Sequence, residues 1–362
     1  MNDNYDLITI IMPIRNEINF ITKTLDAVAN QTYPKNSIQL IISDGMSDDG
    51  TRDVIKNYSK HNDKILLIDN PERIVSTGFN RALNHALGSI IIRVDGHCII
   101  DKDYVMNCVT VIRKINADCV GGYIINHNDN FIGKVINIGQ SSSFGVGNVS
   151  FRKNQEKGKY VDTLAFGAYK RNVFLKIGGY DKELIRNQDD EFNFRLIQNG
   201  GKIWLDSKIK SHYFPRNTLR KLFLQYFQYG FYKIRVIQKR KNFSSWRHLI
   251  PASFCIGIIL TIFLYAAYGI ELPLFALWFI YFTVNIFFTG HSVYKKFKSD
   301  PVKRNWFLLI KTFFTLPVVF LTFHISYGSG FLLGFIYYFR NWNDVNIDDA
   351  LFNRDRFKSY LK

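Results

Sequence analysis

The sequence predicts an α/β fold with a mostly parallel sheet, followed by a C-terminal helical membrane region. In the first half, short apolar runs rich in β-branched residues alternate with amphipathic helical patterns, which is typical of βαβ units. Acidic side chains stand at the ends of several of these runs. In the last third, long stretches are almost free of charge, as expected for segments that enter a bilayer.

Each element of the first half has its own pattern. The first run, Leu7–Met12, is continuously apolar, as expected for a strand that is buried on both faces. Asn16 follows and is a candidate N-cap for a helix with apolar residues at helical spacing. Residues 126–159 are rich in Gly, Ser and Asn and are predicted to form a long loop region. The other predicted elements are strands at 39–44, 64–69, 89–95 and 117–125 and helices near 49–60 and 79–88.

Acidic side chains mark the predicted site. Asp44 ends the second strand, Asp95 ends the fourth, and a third acidic cluster, Asp189–Glu191, opens a helical pattern. In open α/β sheets, nucleotides bind in the crevice at the carboxyl ends of the strands. A diphosphate there needs a divalent cation with oxygen or imidazole ligands. The pattern therefore predicts a nucleotide-sugar site.

Six motifs, taken together and in order, resemble family 2 glycosyltransferases of the GT-A fold over about residues 5–235. They are Pro13–Glu17, Ser43–Thr51, Asn80–Gly88, Val94–His97, Gly178–Asp181 and Gln188–Leu196. Within that family the chain resembles membrane-attached enzymes of exopolysaccharide assembly, the succinoglycan type. The resemblance implies a GT-A catalytic domain at residues 1–235 and a membrane region at residues 236–362.

The resemblance also implies which residues contact the donor nucleotide. Glu17 and Asp44 match positions that contact the uracil and ribose, and Pro13 offers its backbone to the base. Arg73 and Arg93 are included among the predicted donor contacts. Arg93 interrupts an apolar strand, where a buried arginine needs a partner. The alternative interpretation of Asp44 is structural, as the cap of a turn and helix.

The expected metal site centres on Asp95, which matches the first acid of the family's Asp-x-Asp motif and also belongs to the donor site. His97 replaces the second Asp. Imidazole is a competent ligand that favours manganese-like metals, so the predicted cofactor is Mn²⁺ or Mg²⁺; alternatively, His97 approaches the phosphate directly or lies on the surface. His212 is a further candidate metal ligand, and His212 and Arg216 are alternatively contacts for a diphosphate or structural residues.

The resemblance places the catalytic base at Asp189, six residues before Arg195, although Gln188 replaces the Glu of the family's Glu-Asp motif. A carboxylate within hydrogen-bond reach can take the proton of the acceptor hydroxyl. One base and an in-line attack predict inversion at the anomeric carbon. Asp190 and Glu191 are alternative bases, and crowding of the three acids would raise at least one pKa. Alternatively, the acids only favour the start of a helix through its dipole.

Three hydrophobic segments follow, at residues 249–270, 272–290 and 307–339. The first two contain 22 and 19 residues without a charge, near the ~20 residues that cross a ~30 Å hydrocarbon core, and predict a helical hairpin that turns at Glu271. The third contains 33 residues with one charge. Pro317 and the glycines at 328–330 predict a broken or re-entrant element there.

The basic residues predict orientation and partners. Residues 207–247 hold eleven Lys or Arg and no acid, and residues 291–305 hold five against one Asp. By the positive-inside rule both are cytoplasmic, as is the short tail, so the prediction is a multi-pass bacterial inner-membrane protein with a cytoplasmic catalytic domain. Residues 219–237 are predicted to form an interfacial amphipathic helix. Much of the net charge of +17 would attract anionic membrane lipid, at about 1 kcal/mol per basic residue, and no nucleic-acid motif is present.

The predicted function is inverting transfer of a sugar from a nucleotide-sugar donor, UDP-linked, to a polyprenyl-linked saccharide in exopolysaccharide or cell-surface glycan synthesis. Gln225–Tyr229 lies where processive relatives carry Gln-x-x-Arg-Trp, but the Arg and Trp are absent. Single-sugar addition is therefore favoured over polymer synthesis. One alternative is a polyprenyl-phosphate monosaccharide synthase. Another, from a different class, is an inactive membrane scaffold of a polysaccharide complex.

Overall fold

The chain divides into two compact units. The computed structural model describes residues 5–60, 64–128, 130–147, 157–214, 217–241, 246–299 and 305–359. The sheet unit comprises Met1–Ile125, Ser150–Phe214 and Asn346–Lys362, and the helical unit comprises Asn126–Val149 and Pro215–Val345.

The sheet unit is built on a mixed sheet whose first part is parallel. Its strands are Ile8–Ile14 (β1), Ile38–Asp44 (β2), Ile65–Asp69 (β3), Ile90–Arg93 (β4), Cys98–Ile100 (β5), Cys119–Asn126 (β6), Lys159–Tyr160 (β7), Ala168–Lys170 (β8) and Ile203–Tyr213 (β9). Their order is β3-β2-β1-β4-β8-β6-β9-β5, and β7 pairs with β9. Strands β1 to β4 pair in parallel, whereas β8 is antiparallel to both β4 and β6. The predicted α/β class is confirmed, with the antiparallel strands on one side.

Helices cover both faces of this sheet. They are Ile21–Ala29 (α1), Thr51–Ser59 (α2), Val75–Leu83 (α3), Tyr104–Ile115 (α4), Arg171–Ile177 (α7), Gln188–Gln198 (α8) and Arg354–Ser359 (α13). Because side chains alternate along a strand, Ile10 and Met12 of β1 join one core with α1 and α4. Ile11 of the same strand joins the other core with α3, α7 and α8. Burial on both faces explains the uninterrupted apolar run of β1.

Asn16 does not cap α1, which begins at Ile21 without a side-chain cap. Instead Asn16 has a positive φ of 55°, and its side-chain amide exchanges hydrogen bonds with Asp48 at 2.9 and 3.1 Å. Asparagine tolerates this left-handed conformation better than most residues. The predicted N-cap is therefore wrong, since Asn16 joins the loop after β1 to the loop after β2.

Among its described residues, the helical unit has six α-helices: Phe131–Ser141 (α5), Ser143–Val146 (α6), Leu219–Arg240 (α9), Leu249–Tyr268 (α10), Leu272–Ser299 (α11) and Trp306–Tyr337 (α12). Helices α5 and α6 lie where the sequence predicted a loop, and that part of the prediction is wrong. Asn130 caps α5 by accepting a hydrogen bond from Gly133 N–H at 2.7 Å, and Val135 and Ile136 pack in a buried cluster with Phe320 of α12. Tertiary packing thus outweighs the turn-rich composition.

Helix α12 is continuous, which contradicts the prediction of a break at residues 328–330. Its glycines allow close helix packing rather than a turn: a Cβ at Gly330 or Gly334 would overlap the backbone of α9, and one at Gly328 the backbone of α10. Ser326 and Ser329 donate hydrogen bonds to carbonyls four residues earlier in the same helix.

In the described part of the chain, three helices are long and apolar enough to cross a membrane, by length and composition: Leu249–Tyr268, Leu272–Lys298 and Trp306–Tyr337. The predicted helix at 219–237 is also present, as α9. Its last turns are buried, and Arg235, only 1% exposed, donates to the Asp344 carboxylate at 2.6 Å and to the Asp344 carbonyl at 2.8 Å. Arg235 thereby joins α9 to the chain that follows α12.

Candidate active site

The carboxyl ends of β1 and β2 carry the first predicted donor contacts. Pro13 is buried in β1 and lies opposite Ser43 of β2. Asp44 is fully buried, and its carboxylate accepts hydrogen bonds from the Ser47 hydroxyl at 2.6 Å and from Arg52 Nη1 at 2.9 Å. Asp44 therefore holds the turn after β2, the structural role that the sequence left open as an alternative.

Glu17 and His97 come together at the same edge of the sheet. Glu17 Oε1 lies 2.7 Å from His97 Nδ1, and the Glu17 N–H donates to the Thr51 hydroxyl at 2.8 Å. The other imidazole nitrogen of His97, Nε2, lies 3.0 Å from the Tyr213 hydroxyl. Both ring nitrogens of His97 thus have protein partners.

Arg93 and Asp95 form an ion pair at the end of β4. Arg93 is 7% exposed, and its Nε and Nη2 lie 2.9 and 3.4 Å from the two carboxylate oxygens of Asp95. The Tyr180 ring lies against the guanidinium, with its centroid 5.8 Å from Cζ. The buried arginine in the apolar strand therefore has a partner, and that partner is the acid at the centre of the predicted metal site.

Asp189 lies in the first turn of α8 and interacts electrostatically with the Arg93 guanidinium. Burial of its carboxyl group raises the pKa of Asp189 above the ordinary value, because desolvation disfavours the charged form. The positive charge of Arg93 partly opposes this rise, and the neighbouring charge of Asp190 adds to it. A carboxylate with a raised pKa, close to a fixed cation, is a suitable proton acceptor.

Glu191 has a different environment from Asp189. It is 2% exposed, and its carboxylate receives two hydrogen bonds from Arg195, at 2.9 and 2.8 Å. Arg195 also donates to the Gly179 carbonyl at 2.9 Å. Asp190 is half-buried, and its N–H donates to Asp189 Oδ1 at 2.9 Å. Glu191 thus helps to fix the chain before α8.

His212 does not join Asp95 and His97. Because neighbouring residues of a strand point to opposite faces, His212 faces away from the Tyr213 side chain and its Nε2 lies 2.7 Å from Asp101 Oδ1. In the part of the chain that the structure describes, no group of three or more His, Cys, Asp or Glu is arranged to hold a metal. Arg216 lies outside the described residues.

Asp95 alone fits a cation that the donor would help to bind. Its side chain is 21% exposed at the edge of the sheet. Mg²⁺ is commonly held by one or two carboxylates together with substrate phosphates and waters, so one carboxylate is sufficient when a diphosphate is present.

Arg73 is exposed and has a positive φ of 62° in the loop after β3.

Sequence reasoning missed Asn80 and Tyr180. Both lie in motifs that resemble family 2, but neither is among the residues that the resemblance predicts for the site. The buried Asn80 side chain accepts a hydrogen bond from the Tyr180 N–H at 2.8 Å and donates to its carbonyl at 2.6 Å. Asn80 thereby fixes the tyrosine that packs against Arg93. An amide and a Gly-Gly-Tyr turn, 100 residues apart, give no local signal of this contact.

Comparisons with known proteins agree with this geometry. Residues 9–178 match the family model for glycosyl transferase family 2. The Methanococcus voltae protein named dolichyl N-acetyl-alpha-D-glucosaminyl phosphate 3-beta-D-2,3-diacetamido-2,3-dideoxy-beta-D-glucuronosyltransferase is 28% identical over 91% of this chain and 98% of its own length. The succinoglycan biosynthesis protein ExoA of Rhizobium meliloti is 29% identical over 70% of this chain and 78% of its own. Mannosyltransferase PcManGT from Pyrobaculum calidifontis, solved with GDP-Man and Mn²⁺, aligns with 90% of this chain and 88% of its own at a TM-score of 0.53 and 14% identity.

The sheet topology and these matches define the chain as a glycosyltransferase with a GT-A fold. Its residues 9–178 resemble family 2, and the chain is similar to the succinoglycan biosynthesis protein ExoA. The predicted resemblance to family 2, the GT-A fold and the enzyme class are confirmed.

Proposed function

We propose that the protein transfers one sugar from a UDP-sugar to a polyprenyl-linked saccharide, with inversion at the anomeric carbon, in exopolysaccharide or cell-surface glycan synthesis. The observation that supports this proposal is the electrostatic interaction of Asp189, whose pKa is raised by burial, with Arg93 of the Arg93–Asp95 ion pair at the end of β4. A single base next to the donor site supports a direct displacement.

In this reaction Asp189 accepts the proton of the acceptor hydroxyl while that oxygen bonds to the anomeric carbon. The bond from this carbon to the diphosphate oxygen breaks on the opposite face, and the nucleoside diphosphate leaves with the electron pair. Arg93 carries a positive charge that interacts with both Asp95 and Asp189 and stabilises charge without reorganisation. Asp95 would hold a divalent cation, Mn²⁺ or Mg²⁺, which neutralises the diphosphate when bound.

Pro13, Glu17, Asp44 and Arg73 are proposed to line the donor nucleotide. Glu17 and Asp44 are already held by protein partners, through His97 and Arg52. We therefore assign them to the shape of the nucleotide pocket, which the two loops after β1 and β2 form together. Proton transfer is assigned to Asp189, since Glu191 is committed to Arg195.

The lipid-linked acceptor is inferred from the relatives and the helical unit. The name of the M. voltae relative gives a dolichyl-phosphate-linked saccharide as its acceptor, and ExoA is named for succinoglycan biosynthesis. Three apolar helices suited to a membrane accompany the sheet unit here, and basic residues flank them. We infer attachment to the bacterial inner membrane, with anionic lipid as a partner and the sheet unit in the cytoplasm.

The experiment uses the purified protein in detergent, with a panel of UDP- and GDP-sugars and Mn²⁺. Nucleotide release is measured with polyprenyl-diphosphate saccharides, with bare polyprenyl phosphate, and without an acceptor. Release that depends on the saccharide acceptor and is lost in Asp189→Asn supports the proposal, and NMR of the product tests inversion. Release with bare phosphate alone would indicate a monosaccharide synthase, whereas donor binding without release would indicate an inactive scaffold.

A further inference from the structure

The segment after the helical unit returns to the sheet unit and becomes part of its core. Phe352 and Phe357 are 6% and 0% exposed and pack with the core residues of α3, α7 and α8. The buried Arg171 donates to the Phe357 carbonyl and lies over the Phe357 ring, with Cζ 3.6 Å from its centroid. Two aromatic side chains thus anchor residues 346–359, which we call the return segment.

The return segment contacts the turn that leads to the catalytic helix. Asp349 Oδ2 accepts a hydrogen bond from the Gly179 N–H at 3.0 Å. Gly178 has a φ of +85°, and a Cβ there would overlap the same Asp349 carboxylate. On the other flank, the Asp348 backbone carbonyl accepts a hydrogen bond from the Lys182 N–H at 2.8 Å, and the Asp348 carboxylate forms an ion pair with the Lys182 ammonium at 2.9 Å. The absence of a side chain at Gly178 therefore allows the Asp349 carboxylate to pack directly against this turn.

From this turn a short chain of contacts reaches the proposed active site. Tyr180 follows Gly179 directly, is 1% exposed, and is fixed on its other side by Asn80. Its ring packs against the Arg93 guanidinium, which in turn binds Asp95. A displacement of Gly179 would be transmitted to Tyr180, because its backbone is held on both sides in a close-packed core.

We propose that the return segment is a positioning element of the active site, in which Asp349 fixes the Gly178–Asp181 turn so that Tyr180 holds Arg93 in its ion pair with Asp95. Asp349 is a positioning residue that touches neither substrate nor reacting atoms. The inference rests on the proposed function for the roles of Arg93 and Asp189, whereas the contact between Asp349 and the turn stands independently of it.

The test compares Asp349→Ala with Asp349→Asn and with Asp355→Ala. The Asn side chain can still accept from Gly179 N–H, and Asp355 is an exposed acid in the same segment. We expect Asp349→Ala to lower kcat about 10-fold, the order of one lost positioning contact, with less than a 2-fold change in the Kd for UDP. Asp349→Asn and Asp355→Ala should both keep at least half of the parent kcat.

Hydrogen exchange of residues 178–181 separates this inference from the proposed function. Even if the parent protein transferred no sugar, faster exchange of this turn in Asp349→Ala than in Asp355→Ala would support the positioning role. Equal exchange or equal kcat in these two variants would overturn it. If Asp349→Ala does not fold, Asp348→Ala disturbs the other flank of the same turn and is scored by the same measurements.

Discussion

Arg93 Nε lies 2.9 Å from Asp95 Oδ1, so the acid at the centre of the proposed metal site is paired with a cation from its own strand. The pair explains why a charge is tolerated inside an apolar strand, since a buried arginine is stable only when it is paired. If the proposed function holds, a substitution at either residue is therefore expected to affect both donor binding and folding.

The first prediction is that Asp95→Ala loses Mn²⁺-dependent UDP binding and is less stable than the parent. Removal of the carboxylate leaves the diphosphate charge poorly compensated and Arg93 without its partner, at a cost of about 1–3 kcal/mol. Calorimetric titration with UDP, with and without Mn²⁺, measures the binding, and thermal unfolding measures the stability. Parent-like Mn²⁺-dependent binding would exclude Asp95 as the metal anchor.

A second prediction concerns His97, which has protein partners at both ring nitrogens. His97→Ala is expected to keep most of the Mn²⁺-dependence of UDP binding that Asp95→Ala loses, because Glu17 and Tyr213 already occupy the imidazole. The same titration checks it. If His97→Ala matched Asp95→Ala, the imidazole would have to leave Glu17 or Tyr213 to bind the metal.

A third prediction is that Asp189→Asn lowers transfer about 10²–10⁴-fold, the usual contribution of a general base, while UDP binding persists. The amide keeps the size of the side chain but cannot accept the proton. Asp190→Asn, one residue along the same helix turn, is the matched control and should retain most of the activity. The reverse result would assign the base to Asp190.

The raised pKa of Asp189 gives a fourth prediction, for pH. Since folding raises this pKa above its ordinary value of 3.8, the ionised carboxylate destabilises the fold, and stability is lost as the pH rises through the folded-state pKa. Asp189→Asn should therefore unfold at a higher temperature than the parent at neutral pH. This difference in unfolding temperature should shrink as the pH falls towards 3.8. In the parent, kcat/KM should fall on the acid side at a pH above that of an ordinary carboxyl group. A stability gap that is independent of pH would contradict this assignment.

The sequence predicted the parts of the fold and site that depend on local patterns. The continuous apolar run of β1 and the acid that ends β2 follow from the period of side chains along a strand, and the structure places them as expected. The ion-pair partner of Arg93 was predicted to exist but was not identified. Its identity, Asp95, lies only two residues away.

What the sequence could not predict depends on contacts between distant segments. The glycines of α12 have a composition typical of a turn. In the structure, however, they allow the backbones of α9 and α10 to pack closely against α12. Likewise, His97 fits a metal ligand by motif, yet Tyr213, 116 residues further along the chain, lies next to its Nε2. Neither the helices that pack against α12 nor the contact between His97 and Tyr213 can be predicted from the residues nearby in the sequence.

The last prediction concerns membrane topology and follows from the return segment. Because the sheet unit contains the chain before Pro215 and again from Asn346, the intervening chain must cross any membrane an even number of times. Helices α10 and α11 supply two crossings as a hairpin, so α12 should not complete a third, although its 32 residues would span about 48 Å. We expect α12 to begin and end on the cytoplasmic side.

Single cysteines at three exposed positions, Glu271, Lys298 and Lys358, test this topology with a membrane-impermeant thiol reagent. The four native cysteines are buried, so their background labelling should be low. Glu271→Cys should react in intact spheroplasts, because the turn between α10 and α11 faces outward in the hairpin. Lys298→Cys and Lys358→Cys should react only after the inner membrane is opened, since two crossings by α10 and α11 would leave both positions on the cytoplasmic side. Labelling of Lys358→Cys from outside would show that α12 crosses the bilayer, and the docking of Phe352 and Phe357 on the sheet unit would then be incompatible with a cytoplasmic active site.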